Sequence, residues 1–207
     1  MSELIDIYDL EWNFLKTQYK NDFYKEVKEE YKKTKKISKR IKRSTLILLN
    51  SDWKIYIQKR SPSKSENPDL HDKTCGGHVS SWDTFDITII RECIEELGFP
   101  ATVVPDKDFS KAIKTIDLNV IGILKKTEIH KNFLSLIKTK NNDTFELPLI
   151  IQTYFGYYDG TFKFTDWECS GIQLLSLEEL KSKMKDRPKN FTKDLEFLIK
   201  NCKCIYP

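Results

Sequence analysis

Three carboxylates close together in the middle of the chain have the types and spacing to bind a divalent cation. Glu92, Glu95 and Glu96 lie on a segment that follows a glycine turn at Gly77 and ends at Gly98. At about 100° per residue, the three glutamates share one arc of a predicted helix. Like charges at this spacing, near a helix C-terminus, are unfavourable. Mg²⁺ or Mn²⁺, which prefer oxygen ligands, would remove that penalty.

The other arc of the predicted helix is apolar, and we expect it to be buried. Four residues repeat there at helical spacing: Ile90, Cys93, Ile94 and Leu97. Arg91 precedes Glu95 by four residues, so an ion pair between them is expected. Burial of the apolar arc leaves the acidic arc to line a cleft, or alternatively to form an ordinary solvated helix face.

The spacing of these residues resembles the Nudix box, G-x(5)-E-x(7)-R-E-U-x-E-E-x-G-U, in which U is an apolar residue. The positions in register are Gly77, Arg91, Glu92, Cys93, Glu95, Glu96, Gly98 and Phe99. The departures are Asp83, where the box has glutamate, and Trp82, where glycine is usual. So many fixed positions within one short stretch make a chance match improbable.

The resemblance implies an α/β fold: a Nudix-type α/β/α sandwich with a mixed sheet, in which the box forms a loop, a helix and a loop at the cleft. The reaction that it implies is a metal-assisted attack of water on a diphosphate linkage. The implied cofactor is Mg²⁺ or Mn²⁺, and the implied partner is a small-molecule diphosphate.

The resemblance also implies roles for individual residues. The metal ligands would be Glu92, Glu95, Glu96 and a backbone carbonyl at Gly77 or its neighbour Gly76. Structural roles in the box would belong to Arg91, Asp83 and Gly98. The catalytic residues would be Glu92, Glu96 and, as a general base from outside the box, Glu168. The alternative for Glu168 is an exposed carboxylate in a turn.

Three further residues are candidates for binding the substrate. Arg60 and Lys64 lie in a predicted loop, where they would either steer an anionic substrate or simply be exposed. His78 follows two glycines, and it resembles a metal-binding histidine of isopentenyl-diphosphate isomerase. Because Gly-Gly-His is also common in Nudix hydrolases, we assign His78 to substrate binding.

The likeness to the isomerase-like branch of the superfamily extends beyond the box. It includes residues 58–61 and 172–180. The isomerase requires a cysteine directly before Gly-His, whereas Gly76 fills that place here and Cys75 comes one residue early. We therefore expect hydrolysis of a nucleoside diphosphate derivative or another organic diphosphate, such as an isoprenoid diphosphate. The alternatives are an isomerase-like enzyme and a binding module with a disabled site.

The rest of the chain reads as strands on either side of the box helix, with helices at the end. We expect an N-terminal strand and basic helical extension over residues 1–43, followed by a hydrolase domain over residues 44–207. The individual expectations are a strand at 3–8, a helix over 12–43, strands at 44–49 and 53–59, a strand at 116–124, a polar excursion at 125–142, a strand at 147–158 turning into 161–164, a strand at 172–175, and helices from Ser176 and Thr192.

Charge and composition limit the function classes. The 207 residues carry a net charge of only +4, so binding of a polyanion requires a local cluster. The basic segment 25–43 is such a cluster; interspersed acidic residues favour a solvated face, so RNA is conceivable but not expected. No apolar run approaches membrane length, the N-terminus is unlike a signal peptide, and the cysteines lack a paired C-x-x-C. These features predict a cytoplasmic protein without a membrane segment, of undetermined oligomeric state.

Overall fold

The computed structural model describes residues 3–141, 143–164 and 167–201, which form one nine-stranded sheet and five α-helices. The strands are β1 (Leu4–Tyr8), β2 (Phe14–Tyr19), β3 (Arg40–Leu49), β4 (Ile55–Arg60), β5 (His71–Asp72), β6 (Ala101–Val103), β7 (Gly122–Lys138), β8 (Thr144–Tyr157) and β9 (Cys169–Leu175). The helices are α1 (Lys20–Thr34), α2 (Phe85–Leu97), α3 (Asp106–Thr115), α4 (Leu177–Asp186) and α5 (Lys193–Asn201), with a short 3-10 turn at Pro188–Asn190.

The sheet contains both parallel and antiparallel pairs. Its main order is β2-β1-β3-β8-β7-β6, and β4 branches from β3 to pair with β5 and β9. The β3–β8 and β6–β7 pairs are parallel and the others are antiparallel. This mixed sheet with helices confirms the predicted α/β class.

Alternation along β3 supplies side chains to apolar clusters on both faces of the sheet. Ile47 and Leu49 pack in a cluster that also contains residues of α3, α4 and α5. Leu46 and Leu48 belong to a second cluster, which packs beneath α2. A third cluster joins α1 to β1, β3, β7 and β8. Helices therefore cover both faces of the central strands, and α2 is fixed to the sheet through its apolar side.

The prediction of one helix over residues 12–43 is wrong at both ends. Residues 14–19 form β2, which pairs with β1, and β3 begins at Arg40. The fourfold spacing of Phe23, Val27 and Tyr31 holds only within α1, where Phe23 and Val27 are fully buried. The helix ends at Lys35, which adopts the left-handed conformation with φ 59°.

The predicted boundary between residues 43 and 44 falls inside β3. On the N-terminal side of that boundary, Ile7 of β1 pairs with Ile41 of β3, so β1, β2 and β3 belong to one sheet. The division into an extension over 1–43 and a domain over 44–207 stays a prediction about folding units.

The segment 125–142, which was predicted to be a polar excursion, instead belongs to a long strand as far as residue 138. Residues 122–138 form β7, which pairs with β8 through two irregularities. Alternate residues Phe133, Ser135 and Ile137 are buried there, whereas Leu134 is 56% exposed. The inner face of the strand therefore follows the alternation along the chain and not the apolar character of each residue.

Two smaller expectations differ and one is confirmed. Residues 161–164 form no strand, and the strand expected at 116–124 begins only at Gly122, because α3 occupies 106–115. The helix predicted from Ser176 is confirmed, and it begins with a capping box: the Ser176 hydroxyl accepts from Glu179 N, and the Glu179 carboxylate accepts from Ser176 N. Within the described ranges, no helix is both long and apolar enough to span a bilayer.

Candidate active site

The helix that carries the three glutamates has a well-defined beginning and end. The hydroxyl of Thr84 accepts a hydrogen bond from Ile87 N at 3.2 Å, which caps the first turn of α2. Gly98 ends the helix at φ 70°, and a Cβ at this position would lie 2.2 Å from the backbone oxygen of Lys163. A glycine is therefore required at residue 98 by both conformation and space.

The buried arc of α2 differs from the one predicted. Ile89, Cys93 and Leu97 are buried together in the cluster beneath the helix, whereas Ile94 is 50% exposed. The buried face of α2 therefore lies closer to the glutamates than predicted, and Glu92 and Glu96 are part of it. The expectation that Ile94 would be buried is wrong, because the helix turns Glu92 and Glu96 inwards.

The three glutamates fall into two environments. Glu92 and Glu96 are only 9% and 5% exposed, whereas the side chain of Glu95 is 54% exposed and bonds to Arg91 at 2.9 Å. Two carboxylates held one helical turn apart and shielded from water do not form an ordinary solvated face. Their oxygens could serve as a pair of protected ligands for a cation.

Glu92 packs directly against the glycine turn. A Cβ at residue 77 would lie 2.1 Å from Oε1 of Glu92, so only glycine leaves room for this carboxylate. Burial raises the pKa of Glu92 to about 7; Arg91 opposes that rise, while Glu95 and Glu168 add to it. A cation at this carboxylate would favour its ionised form.

Glu96 accepts a hydrogen bond from a residue on the central sheet. Nε2 of Gln58, on β4, donates to Oε2 of Glu96 at 3.2 Å. The amide orients this carboxylate towards the sheet. Gln58 belongs to the segment that resembles the isomerase-like branch, but nothing in its local sequence indicated this contact.

Arg91 connects the acidic groups of the box. Its guanidinium lies 3.2 Å from Glu92, 2.9 Å from Glu95 and 3.6 Å from Asp83. Asp83, the shorter residue at the glutamate position of the box, therefore still reaches the arginine. The structural roles assigned to Arg91 and Asp83 stay predictions.

Glu168 and Lys64 form an ion pair in the same cleft as α2. Burial opposes ionisation of Glu168, but the ammonium of Lys64 outweighs it, so the net effect lowers the pKa of the carboxyl. Glu168 is therefore ionised near neutral pH. Glu168 lines the same cleft as the box residues, and its role as a general base stays a prediction.

Arg60 is held in place by hydrogen bonds to other residues of the protein. Its guanidinium donates to Oδ2 of Asp72 at 3.1 Å and to the backbone oxygen of Glu66 at 2.9 Å. Asp72 also contacts Lys73 and the hydroxyl of Thr192, and this ionic surrounding outweighs burial and lowers the pKa of Asp72. Arg60 lines the cleft but is held by these contacts, so its predicted role in binding substrate stays a prediction.

His78 is a neutral residue at the edge of the glycine turn. Its Nε2 lies 2.8 Å from the hydroxyl of Tyr24 on α1, a residue that the sequence analysis did not single out. Burial lowers the pKa of His78 well below its ordinary value, and the basic residues around it, Lys20 foremost, lower it further. A neutral imidazole offers hydrogen bonding rather than charge to a substrate.

These residues line one open cleft of about 940 Å³. The predicted site residues along it are Arg60, Lys64, Gly77, His78, Arg91, Glu92, Glu95, Glu96 and Glu168. Asp83 and Gly98 support α2 from outside the cleft. The lining residues that sequence reasoning did not assign to the site include Glu3, Lys20, Tyr24, Lys28, Arg43 and Trp167. Of these, Lys28 and Arg43 belong to the basic segment 25–43.

The residues present suit a magnesium or manganese ion. Among the described residues, no group of three or more histidine, cysteine, aspartate or glutamate side chains forms a complete metal cage. Mg²⁺ does not require one, because it is usually held by one or two carboxylates together with water and substrate phosphates. Glu92 and Glu96 provide two buried carboxylates. The Gly77 carbonyl accepts from Ser44 N at 2.9 Å and keeps a second lone pair.

Comparison with known proteins identifies the family of this arrangement. A family model described as the NUDIX domain matches residues 39–195. DR0079 from Deinococcus radiodurans is similar in structure with a TM-score of 0.66 and 20% identity, over 97% of this chain and 99% of that one. A search of curated proteins finds no significant match.

Two other solved structures are also similar. One is a NUDIX-family hydrolase from Clostridium perfringens, with a TM-score of 0.50 and 14% identity over 81% of this chain and 99% of that chain. The other is a bifunctional NMN adenylyltransferase/ADP ribose pyrophosphatase from Francisella tularensis, with a TM-score of 0.50 and 16% identity over 88% of this chain and 46% of that chain. At these identities the likeness shows a shared fold.

Proposed function

This chain belongs to the NUDIX family, and we propose that it is a metal-dependent hydrolase that cleaves a diphosphate linkage in a small organic substrate. The observation that carries the proposal is the pair of buried carboxylates in a cleft with basic side chains: Glu92, which packs against Gly77, and Glu96, which accepts from Gln58. Such a pair suits a cation that neutralises phosphate charge and makes water more acidic.

In the proposed reaction, different residues of the cleft hold the metal and position its ligands. Glu92 and Glu96 would hold Mg²⁺ or Mn²⁺ together with the Gly77 carbonyl, and Arg91 would keep Glu92 in place. The oxygen of a water molecule bonds to one phosphorus while the bond from that phosphorus to the bridging oxygen breaks. The bridging oxygen leaves with the other phosphate.

We propose that Glu168 is the general base that accepts the proton of the attacking water. Its carboxylate is ionised through its pairing with Lys64, and it lies outside the set that holds the metal. Lys64 would also contribute positive charge near the substrate phosphates. Glu92 is the alternative base, because burial raises its pKa to about 7, close to working pH.

A nucleoside diphosphate derivative is the substrate class that we favour over an isoprenoid diphosphate. Trp167 is 89% exposed on the rim of the cleft, where its ring is available to stack on a planar base. The structural neighbour from Francisella tularensis includes an ADP ribose pyrophosphatase, which makes ADP-ribose a reasonable first substrate to test.

The surroundings of Cys75 give no support to the isomerase alternative. Its thiol is buried among apolar side chains beneath α2 and bonds to Cys93; this bond, followed by burial, raises its pKa well above the ordinary value. A thiol in that state is a poor acid and nucleophile. A disabled binding module is also less well supported, because Asp83 keeps the contact to Arg91. The cytoplasmic location and the oligomeric state stay open to direct measurement.

A panel of diphosphates tests the proposed activity. Phosphate and nucleotide products would be measured with ADP-ribose, a nucleoside triphosphate and isopentenyl diphosphate, each with Mg²⁺, with Mn²⁺ and with EDTA. Metal-dependent hydrolysis of a nucleotide is the expected result. Isomerisation of isopentenyl diphosphate, or no turnover of any compound with either metal, would overturn the proposal.

A further inference from the structure

One wall of the cleft comes from a helix that lies outside the segment matched by the NUDIX model. Residues of α1 at positions i, i+4, i+5 and i+8 share one helical face, and they line the cleft: Lys20, Tyr24, Lys25 and Lys28. The acidic residues of α1 are not among the lining residues, and Glu26 instead bonds to Lys16 and Lys39. The helix therefore presents a basic face to the cleft.

Most of the cationic groups in the cleft already have a carboxylate partner. Lys20 pairs with Glu3 at 2.8 Å, Lys64 with Glu168, Arg60 with Asp72 and Arg91 with Glu95. Within the described ranges, Lys28 and Arg43 have no carboxylate oxygen within 4 Å. Lys25 has only the exposed Asp22, at 3.6 Å.

The ammonium of Lys28 is held near the cleft by aromatic rings. It lies 5.9 Å from the ring centroid of Tyr24 and 6.0 Å from that of Phe145. Contacts of this kind orient the side chain without neutralising its charge. Tyr24 in turn contacts His78, which follows Gly77. This chain of contacts places Lys28 on the same side of the cleft as the glycine turn.

Arg43 is a charged, partly buried residue beside the glycine turn. Its Nε is buried and has no hydrogen-bond partner in the described part of the chain, and its backbone forms a bridge with His78. Burial disfavours the charge, but the fields of nearby acidic groups, Asp194 foremost, outweigh burial and raise the pKa of Arg43. Arg43 therefore brings to the cleft a positive charge and a donor nitrogen that no described residue accepts from.

We propose that Lys28 and Arg43, assisted by Lys25, form a second anion-binding subsite that takes a phosphoryl group of the substrate other than the scissile diphosphate. The proposal rests on the proposed hydrolase function. An arginine can bind a phosphate through two hydrogen bonds, and the lysines add point charges. The substrate class is then a compound with at least three phosphoryl groups, one of which is bound by α1 and β3 while the metal-binding carboxylates serve the other two.

The first experiment measures anion binding alone, so it does not depend on hydrolysis. Inorganic tripolyphosphate would be titrated calorimetrically into the full chain in EDTA at constant ionic strength. Lys25→Gln/Lys28→Gln should weaken Kd about tenfold, on the scale of losing charge-assisted hydrogen bonds. The control, Lys32→Gln/Lys33→Gln, removes the same charge from exposed positions of α1 that do not line the cleft, and it should change Kd less than twofold.

The second experiment asks whether the subsite acts on a substrate. With metal present, Lys25→Gln/Lys28→Gln should lower kcat/KM for a nucleoside triphosphate about tenfold and for ADP-ribose less than twofold. Equal losses on both substrates, equal effects of both lysine pairs, or no binding of tripolyphosphate by the wild type would overturn the subsite. If the tripolyphosphate result holds but no diphosphate is hydrolysed, the proposed function fails and the anion subsite stands.

Discussion

The position of the Glu92 carboxylate depends on having no side chain at residue 77. Oε1 of Glu92 occupies the space in which a Cβ at residue 77 would lie, and the carboxylate is the movable end of a long side chain. An added methyl group would therefore displace the carboxylate rather than the backbone. The glycine of the box is therefore required for the observed position of the Glu92 carboxylate, which the motif alone does not explain.

Gly77→Ala should lower kcat/KM by about tenfold to 100-fold with little change in Tm, because a misplaced ligand affects the reaction more than the fold. Metal-dependent turnover and thermal unfolding would be measured on the same preparation. The matched control is Gly171→Ala, where a Cβ would meet no atom within 4 Å. Full activity of Gly77→Ala would mean that the carboxylate does not need its observed position.

At the scale of elements, a buried ionic cluster joins strands β4 and β5 to the start of helix α5. Asp72 on β5 contacts Arg60 on β4, its neighbour Lys73, and the hydroxyl of Thr192, which directly precedes α5. The ionic surrounding lowers the pKa of Asp72 despite burial. A depressed carboxyl pKa stabilises the fold above the pKa of the unfolded chain, near 3.9, and this contribution falls as the pH falls towards the folded value.

Asp72→Asn should reduce the free energy of unfolding by about 3 kcal/mol at pH 7, since it leaves buried cations uncompensated. The difference from wild type should narrow by about 1 kcal/mol at pH 3, where the unfolded carboxyl is protonated. Urea unfolding at both pH values provides the measurement. A difference that widens in acid would contradict the assigned pKa direction.

The elements that the sequence predicted well are those specified by neighbouring residues. The box helix with Gly98 at its end, and the capping box at Ser176, depend on residues within a few positions of one another. The contacts to Gln58 and Tyr24 could not be predicted, because each joins segments that are distant in the chain. The helix expected at 14–19 failed for a similar reason: pairing with β1 outweighs the local pattern.

At the scale of the whole molecule, the basic segment 25–43 does not form one continuous exposed surface. Lys25 and Lys28 line the cleft, Lys39 pairs with Glu26, and Arg43 is partly buried, so the exposed basic stretch is limited to Lys32, Lys33, Lys35 and Lys36. The net charge of the whole chain, +4, gives a weak overall field. This distribution favours a small anionic ligand over a long polyanion.

The intact protein should therefore show no binding to a single-stranded RNA at physiological salt, as measured by fluorescence anisotropy. Any weak association at low salt should disappear as salt is added, because few phosphate contacts are made. Micromolar or tighter binding at physiological salt would contradict this expectation and would assign the basic segment to nucleic acid.

The most direct test of the central claim, that Glu92 and Glu96 jointly hold a catalytic cation, is the metal-induced rise in Tm of Glu96→Gln. A ligand that binds only the folded state raises Tm by mass action, so Mg²⁺ or Mn²⁺ should stabilise the wild type. Glu96→Gln keeps the side-chain shape and removes one buried charge. It should be at least as stable without metal, respond less to metal, and turn over about 100-fold more slowly or worse.

The control for this measurement is Glu29→Gln on the exposed side of α1, which should change neither the metal response nor turnover. The account predicts a blunted rise in Tm for Glu96→Gln and a full rise for Glu29→Gln. A Glu96→Gln protein that hydrolyses diphosphates normally and gains as much Tm from metal as the wild type would contradict it.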